Sequence, residues 1–412
     1  MVNSVIITIC LLILIGYAFD LTASKSRVPS VILLLLLGWG SRQLVQVTGL
    51  QIPNLSLALP ILGTVGLILI VLEGSLELEL KRANLPVIRK SLILATVPML
   101  IMAFYLTWML VYYQGGSFRN TLVNVIPLCV ISSAIAIPTV KSLQKNLRDF
   151  VIYESSFSDI IGVLFFNFVI LNEYVFGVSI GHFLLDVLIM MLISFVAAAG
   201  LALLLRYNNH HIKFIPIIMI VLLIYALSKE FHLPALLFVM ILGLFLGNLD
   251  ELKGNKYIAR LHPEILNLEV HRFREIVTEG AFVIRVIFFI LFGYLIENAE
   301  ILNVSTLLPA LIVTSVIFIL RAMQLKLSGV PIFPLVYVAP RGLITILLFL
   351  SIDPAMMIPT VNKSLILQVI VLTAFMMMIG MMTIKTKAES ESESSKEPVI
   401  VPGKNQSDQQ VQ

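Results

Sequence analysis

The chain has 412 residues, of which 59% are hydrophobic and 13% charged, and its mean hydropathy is +1.01. Soluble domains sit near roughly 45–50% apolar and about 25% charged, so the composition excludes an ordinary soluble enzyme and indicates a polytopic membrane protein. The net charge of +4 is read as a membrane-topology signal and not as a nucleic-acid footprint, and Cys10 and Cys129, both in apolar segments, offer no disulfide framework.

Hydropathy divides the chain into thirteen apolar segments: 4–19, 28–46, 57–76, 91–113, 121–140, 150–172, 180–206, 213–229, 233–249, 277–297, 304–325, 331–352 and 364–384. The first, Val5 to Ala18, has neither a basic leader nor a small-residue cleavage site and is expected as a retained span. With the N-terminus outside, 21 of the 28 basic residues fall on the inward side. Only Arg42, Arg119, Lys229 and Lys363 fall outside, and Arg285, Arg321 and Arg341 lie within spans. That asymmetry predicts an N-out, C-in orientation. Thirteen spans divide as six, one and six. The expected fold is therefore an all-α bundle of about 13 transmembrane helices, with two inverted six-helix repeats at about 4–172 and 213–384 and a linker helix at 180–206. The transmembrane domain covers 1–384, and the Ser/Glu/Lys/Gln-rich stretch 385–412 is expected as a disordered cytoplasmic tail.

Glu73 in the third span reads as a helix-packing or interfacial carboxylate. The fifth span carries Ser132, Ser133, Pro138 and Thr139; proline removes a helix donor and frees carbonyls, so an interrupted helix is expected there. The sixth carries the polar run Glu154-Ser155-Ser156-Phe157-Ser158-Asp159. At 100° per residue from Glu154, Ser158, Ser155 and Asp159 share one arc, whereas Phe157, Ile160 and Leu164 point elsewhere. Asp159 lies roughly 13 Å into the span at about 1.5 Å per residue, near mid-bilayer. A carboxylate there needs water, a cation, a partner or a proton, so it is the candidate ion and proton site; the alternative is a structural carboxylate satisfied by hydroxyls. His210 and His211 fall on a polar inward loop and are read as solvated. The charged, leucine-bearing stretch 249–276 is expected as an interfacial amphipathic helix leading into the tenth span. Arg285 in the tenth span has no partner visible in sequence, and a structural pair or a headgroup contact is expected. The twelfth span holds Ala339-Pro340-Arg341-Gly342-Leu343, a second interruption at the position matching the first.

Three motifs in order and spacing resemble the monovalent cation/proton antiporter superfamily, its sodium/proton exchanger branch in particular. Glu154-Ser155-x-x-Ser158-Asp159 is similar to that branch's Glu-Ser-x-x-Asn-Asp signature. The run from Ile317 to Ala322 resembles its Arg-bearing eleventh span, and Pro340-Arg341-Gly342-Leu343 its Arg-Gly-Ala element. Weaker likenesses are the Val28-Pro29 stretch leading to Gly38 and the Leu72-Glu73-Gly74 element. The resemblance runs from about residue 5 to 384. It implies a homodimer in which a mobile core domain moves against a dimerisation domain. It also implies that Asp159 binds cation and proton in turn, that Glu154 pairs with Arg321, and that Arg341 stands near crossing interrupted helices supported by Pro138 and Pro340. Two positions depart: Ser132-Ser133-Ala134 stands where the family often has Thr-Asp-Pro, and Ser158 replaces the Asn before the transport Asp.

Hard cations take oxygen ligands, which Asp159 supplies to sodium together with Ser133, Thr139, Ser155, Ser158 and freed carbonyls. Cation and proton then exclude one another at one carboxylate. With one exchanging carboxylate and Glu154 neutralised, the exchange is expected to be electroneutral. No phosphate-binding loop is present, and neither a cofactor nor a nucleic-acid partner is expected; the partners are membrane lipid, a second copy of the chain, and the transported ions. The same fold also fits a sodium-coupled symporter of an organic anion or a potassium efflux system, which a large cavity would distinguish. An intramembrane hydrolase lacks its Ser–His, Ser–Lys or paired-Asp arrangement. The expected location is a bacterial plasma membrane.

Overall fold

The computed structural model describes residues 2–383, apart from 27, 49–57, 79, 82–83, 141–142, 172–177, 208–213, 232, 234, 250–262 and 302. His210, His211, the tail 385–412 and residues 250–262 of the charged stretch therefore lie outside the described residues. Among the described residues the secondary structure is helical throughout. An apolar chain in lipid must satisfy its own backbone donors and acceptors, which a helix does within one segment.

The helices in chain order are α1 (Val2–Ser26), α2 (Ser30–Thr48), α3 (Ala58–Glu77), α4 (Leu85–Gln114), α5 (Phe118–Cys129), α6 (Ser133–Thr139), α7 (Lys145–Leu171) and α8 (Val178–Tyr207). They continue with α9 (Phe214–Glu230), α10 (Ala235–Gly247), α11 (Pro263–Tyr294), α12 (Asn298–Ile301), α13 (Val304–Leu327), α14 (Leu343–Leu350) and α15 (Lys363–Met382). Seven spans among the described residues are long and apolar enough to cross a membrane: α2, α3, α4, α5 with α6, most of α11, α13 and α15. The chain is thus an all-α, polytopic membrane protein.

Local chemistry sets several boundaries. Gly115 and Gly116, at φ +73° and +101°, stop the 30-residue α4 in conformations that side-chain-bearing residues rarely adopt. Asn303 and Asn362 cap α13 and α15 by accepting from the amides of Ser305 (3.1 Å) and Leu365 (3.0 Å). Residues 263–276, the described part of the stretch expected as an amphipathic helix leading into the tenth span, are the first turns of α11 itself. Leu266, Val270, Phe273 and Val277 recur at helical spacing and are all buried, which draws this end into the bundle.

Packing falls into two groups. In one, α4 packs on α5, α7 and α13, and α13 on α15. In the other, α11 lies along α2 and α3, and α10 along α3 and α8. Gly38 and Gly293 let α2 and α11 touch backbone to backbone, since a Cβ on either would collide with the facing helix. The interrupted elements α5–α6 and α14 sit in the first group, where the polar residues collect.

Candidate functional site

The two interruptions meet. After α5 the chain runs extended at Val130 (φ −81°, ψ 130°) and at Ser132 (φ −80°, ψ 115°) before α6 begins. The second break lies between a 3₁₀ turn at Leu335–Tyr337 and α14. They are joined by the Ser132 amide, which donates to the Pro340 carbonyl at 2.9 Å. Gly342 stands where a Cβ would press on Ile135 (2.6 Å) and on the Ser132 hydroxyl (2.8 Å), so any other residue would have to displace both side chains. Pro138, in the short α6, has no N–H to continue its own helix ladder.

Broken helices leave unpaired backbone at each end, and charged side chains complement it here. The Arg341 guanidinium donates from Nε to the Leu128 carbonyl at the end of α5 (2.7 Å) and from Nη1 to the Ala339 carbonyl (2.9 Å). Its backbone amide donates to Thr373 Oγ1 at 3.0 Å. At the start of α6, the Ser133 amide donates to Asp159 Oδ2 at 3.1 Å, and the Ser133 hydroxyl donates to the same oxygen. One residue earlier on α7, the Ser158 hydroxyl accepts from the Ile131 amide at 2.9 Å. Adjacent residues of α7 thus grip the first interruption at two points.

Asp159 is 4% exposed, and its second oxygen, Oδ1, is buried without a hydrogen-bond partner among the described residues. A purely structural carboxylate would be expected to satisfy both oxygens. Of the other oxygens expected around it, the structure brings Ser133 into direct contact. Ser155 donates along its own helix to the Val151 carbonyl (2.7 Å), and Thr139 donates to the Ile135 carbonyl (2.8 Å). A hydroxyl that donates along a helix still has lone pairs for a cation.

Glu154, 1% exposed, forms a bidentate pair with Arg321, 3% exposed: Nη1 meets Oε1, and Nη2 meets Oε2 at 2.8 Å. Arg321 Nε donates to the Leu335 carbonyl of the 3₁₀ turn at 3.2 Å. Although Arg321 falls late in its sequence segment, α13 continues to Leu327 and the chain folds back over it, so it is enclosed.

Sequence reasoning missed three partners. Gln324 lies one turn beyond Arg321 and donates from Nε2 to Glu154 Oε1 (3.0 Å) and to the Leu94 carbonyl (2.8 Å), tying α4, α7 and α13 together. The i, i+3 spacing from Arg321 was the available signal. Thr373 steadies Arg341 from α15. Arg285 meets Glu73 at 2.8 Å, a pair between α3 and α11 separated by 212 residues in the chain. This is the structural pair expected for Arg285, and its partner could not be read from either residue's neighbours.

Beside the crossing lies a cavity of about 30 Å³, walled by Met99, Met102, Ser158, Arg321, Gln324 and Arg341 among others. Asp159 is not in its wall, whereas its chain neighbour Ser158 is.

The family model described as the transmembrane region of the sodium/hydrogen exchanger matches residues 9–385. No curated relative matches by sequence. The solved structure of the sodium proton antiporter MjNhaP1 from Methanocaldococcus jannaschii at pH 8 aligns at a TM-score of 0.69 and 18% identity, covering 92% of this chain and 100% of that one. An electron-microscopy structure of MjNhaP1 aligns at 0.65 and 18% identity, covering 92% and 95%. At this identity the structural likeness speaks for the fold.

Proposed function

Because the chain belongs to the sodium/hydrogen exchanger family of secondary transporters, we propose that it exchanges a monovalent cation, sodium first, for protons by alternating access. One observation carries the reading: Asp159 is buried at the meeting of two interrupted helices, with one carboxylate oxygen engaged and the other, Oδ1, unpartnered. A desolvated anion of that kind is stabilised either by a proton or by a hard cation, and one occupant excludes the other. Ser133, Ser155, Ser158 and Thr139 complete the oxygen set of the proposal, and Glu154 with Arg321 braces the body that carries it.

The exchange is electroneutral in this reading, because protonated and sodium-bound Asp159 carry the same charge and Glu154 is neutralised by Arg321. An organic-anion symporter is less well supported: small-molecule sites run to roughly 300–1,000 Å³, against about 30 Å³ beside this crossing. The proposal extends to thirteen spans in two inverted repeats (4–172 and 213–384) about the linker 180–206, to an N-out, C-in orientation in a bacterial plasma membrane, and to a homodimer. The group containing α4, α5, α7 and α13 would be the moving core, and the group containing α2, α3 and α11 the scaffold.

The test is dissipation of a preset pH gradient in proteoliposomes by sodium, lithium or potassium, with wild type and Asp159→Asn. The expected result is a cation-dependent collapse that the variant loses entirely. No response to any of the three cations between about pH 5 and 9, a window spanning ordinary and perturbed carboxylates, would overturn the reading.

A further inference from the structure

The cavity beside the crossing is rich in hydrogen-bond donors, and of its wall only Ser158 belongs to the oxygen set proposed around Asp159. Arg321 and Arg341 both stand in its wall, each 3% exposed. Arg321 is matched by Glu154. Arg341 has no carboxylate within ion-pair distance among the described residues; its side-chain donors go to the carbonyls of Leu128 and Ala339 and to the Met102 thioether, with Nη2 at 3.7 Å from Sδ. A guanidinium has five N–H donors, so those three contacts leave two uncommitted, and the thioether contact is weak. The Ser158 hydroxyl accepts from Ile131 and retains its own proton to donate. The Gln324 amide nitrogen is already committed to Leu94 and Glu154.

A buried cation without an anion is costly, and the usual remedies are a paired charge or a bound counter-ion. Carbonyl dipoles stabilise Arg341 in part, but they supply no net charge. We propose that this cavity is a binding site for a small monovalent anion, chloride or bromide, held by the free Arg341 N–H groups and the Ser158 hydroxyl. The volume of about 30 Å³ suits a one-atom ion better than sulfate or an organic carboxylate, and the Met99 and Met102 side chains supply a polarizable wall. Such an anion would make the ensemble of Glu154, Arg321 and Arg341 neutral without drawing on Asp159. Asp159 itself is not in the cavity wall, so anion binding can be tested without transport.

The experiment is thermal unfolding of the purified full-length protein in detergent, at fixed sodium and ionic strength, with chloride replaced stepwise by gluconate. It is paired with anomalous diffraction from crystals grown in bromide. Two variants control for the site: Ala95→Leu, which fills the cavity from α4, and Met102→Glu, which places a carboxylate beside Arg341. The expected result is a saturable rise in unfolding temperature with chloride or bromide, a bromide peak in the cavity, and loss of both in each variant while helicity is retained. Sulfate should not substitute. Equal unfolding temperatures in chloride and gluconate with no bromide peak would mean that only water fills the cavity, and would overturn the proposal. A chloride effect that survives in both variants would also overturn it, by locating the anion elsewhere.

Discussion

Replacing Glu154 by Gln tests whether the Glu154–Arg321 pair is a structural brace. The substitution preserves shape and removes one charge, leaving the Arg321 guanidinium, 3% exposed, with the Leu335 carbonyl and an amide oxygen as acceptors. Breaking a buried pair from one side costs about 3–5 kcal/mol, because the remaining charge is desolvated and uncompensated. Removing both charges in Glu154→Gln/Arg321→Gln is a different perturbation. Two neutral amides can bond each other, and Gln324 keeps its bond to Leu94, so the expected cost falls to about 1–2 kcal/mol, in line with a few neutral hydrogen bonds. The cycle should therefore show coupling of at least about 2 kcal/mol in magnitude. Equilibrium unfolding in mixed micelles, followed by helicity for wild type, both single variants and the double, supplies the four free energies. Single costs below about 1 kcal/mol that simply add in the double variant would refute the reasoning, since additivity is the behaviour of a hydrated pair.

Ser133→Ala removes the hydroxyl bond to Asp159 Oδ2 but keeps the backbone amide at 3.1 Å. At about 1.5 kcal/mol for a bond to a charged group, apparent sodium affinity in the pH-gradient assay should fall about tenfold without loss of fold. In Gly162→Ala the new methyl collides with Val130 at the first interruption, and transport should drop while the double variant Gly162→Ala/Val130→Ala recovers it. Glu73→Gln should lower stability by about 1–2 kcal/mol, less than Glu154→Gln, because both Glu73 and Arg285 side chains retain 14% exposure; micelle unfolding of the two variants side by side checks the order.

The legible parts of the site are those where one residue violates its own surroundings. Asp159 stands out because a carboxylate in an apolar run has few physical explanations. Pro138 and Pro340 stand out because they remove a donor from a helix that lipid requires to be complete. What could not be read is which long-range partner answers each violation. Arg285 announced a need for an anion, but Glu73 lies 212 residues away on another helix, and nothing local to either names the other. Gln324 offered only its i, i+3 spacing from Arg321, which names neither Glu154 nor Leu94 as its partner. The start of α11 was legible as an amphipathic helix leading into its span, but how far Leu266, Val270, Phe273 and Val277 are buried along one face depends on the helices packed against it.

The arrangement also accounts for why a chain can tolerate so much buried polarity at one level. The first broken helix presents a partial charge at each of its two loose ends, and Arg341 at the end of α5 and Asp159 at the start of α6 bear the opposite signs there. The carboxylate proposed to carry cargo therefore also helps hold the start of α6. It does so through Oδ2 alone, so Oδ1 can change occupant without dismantling the crossing. Were both oxygens committed to the backbone, each exchange of proton for cation would have to break structure, and the crossing would resist the cycle. In the proposed exchange, splitting the two duties between the two oxygens would let Asp159 hold the start of α6 and still take its cargo.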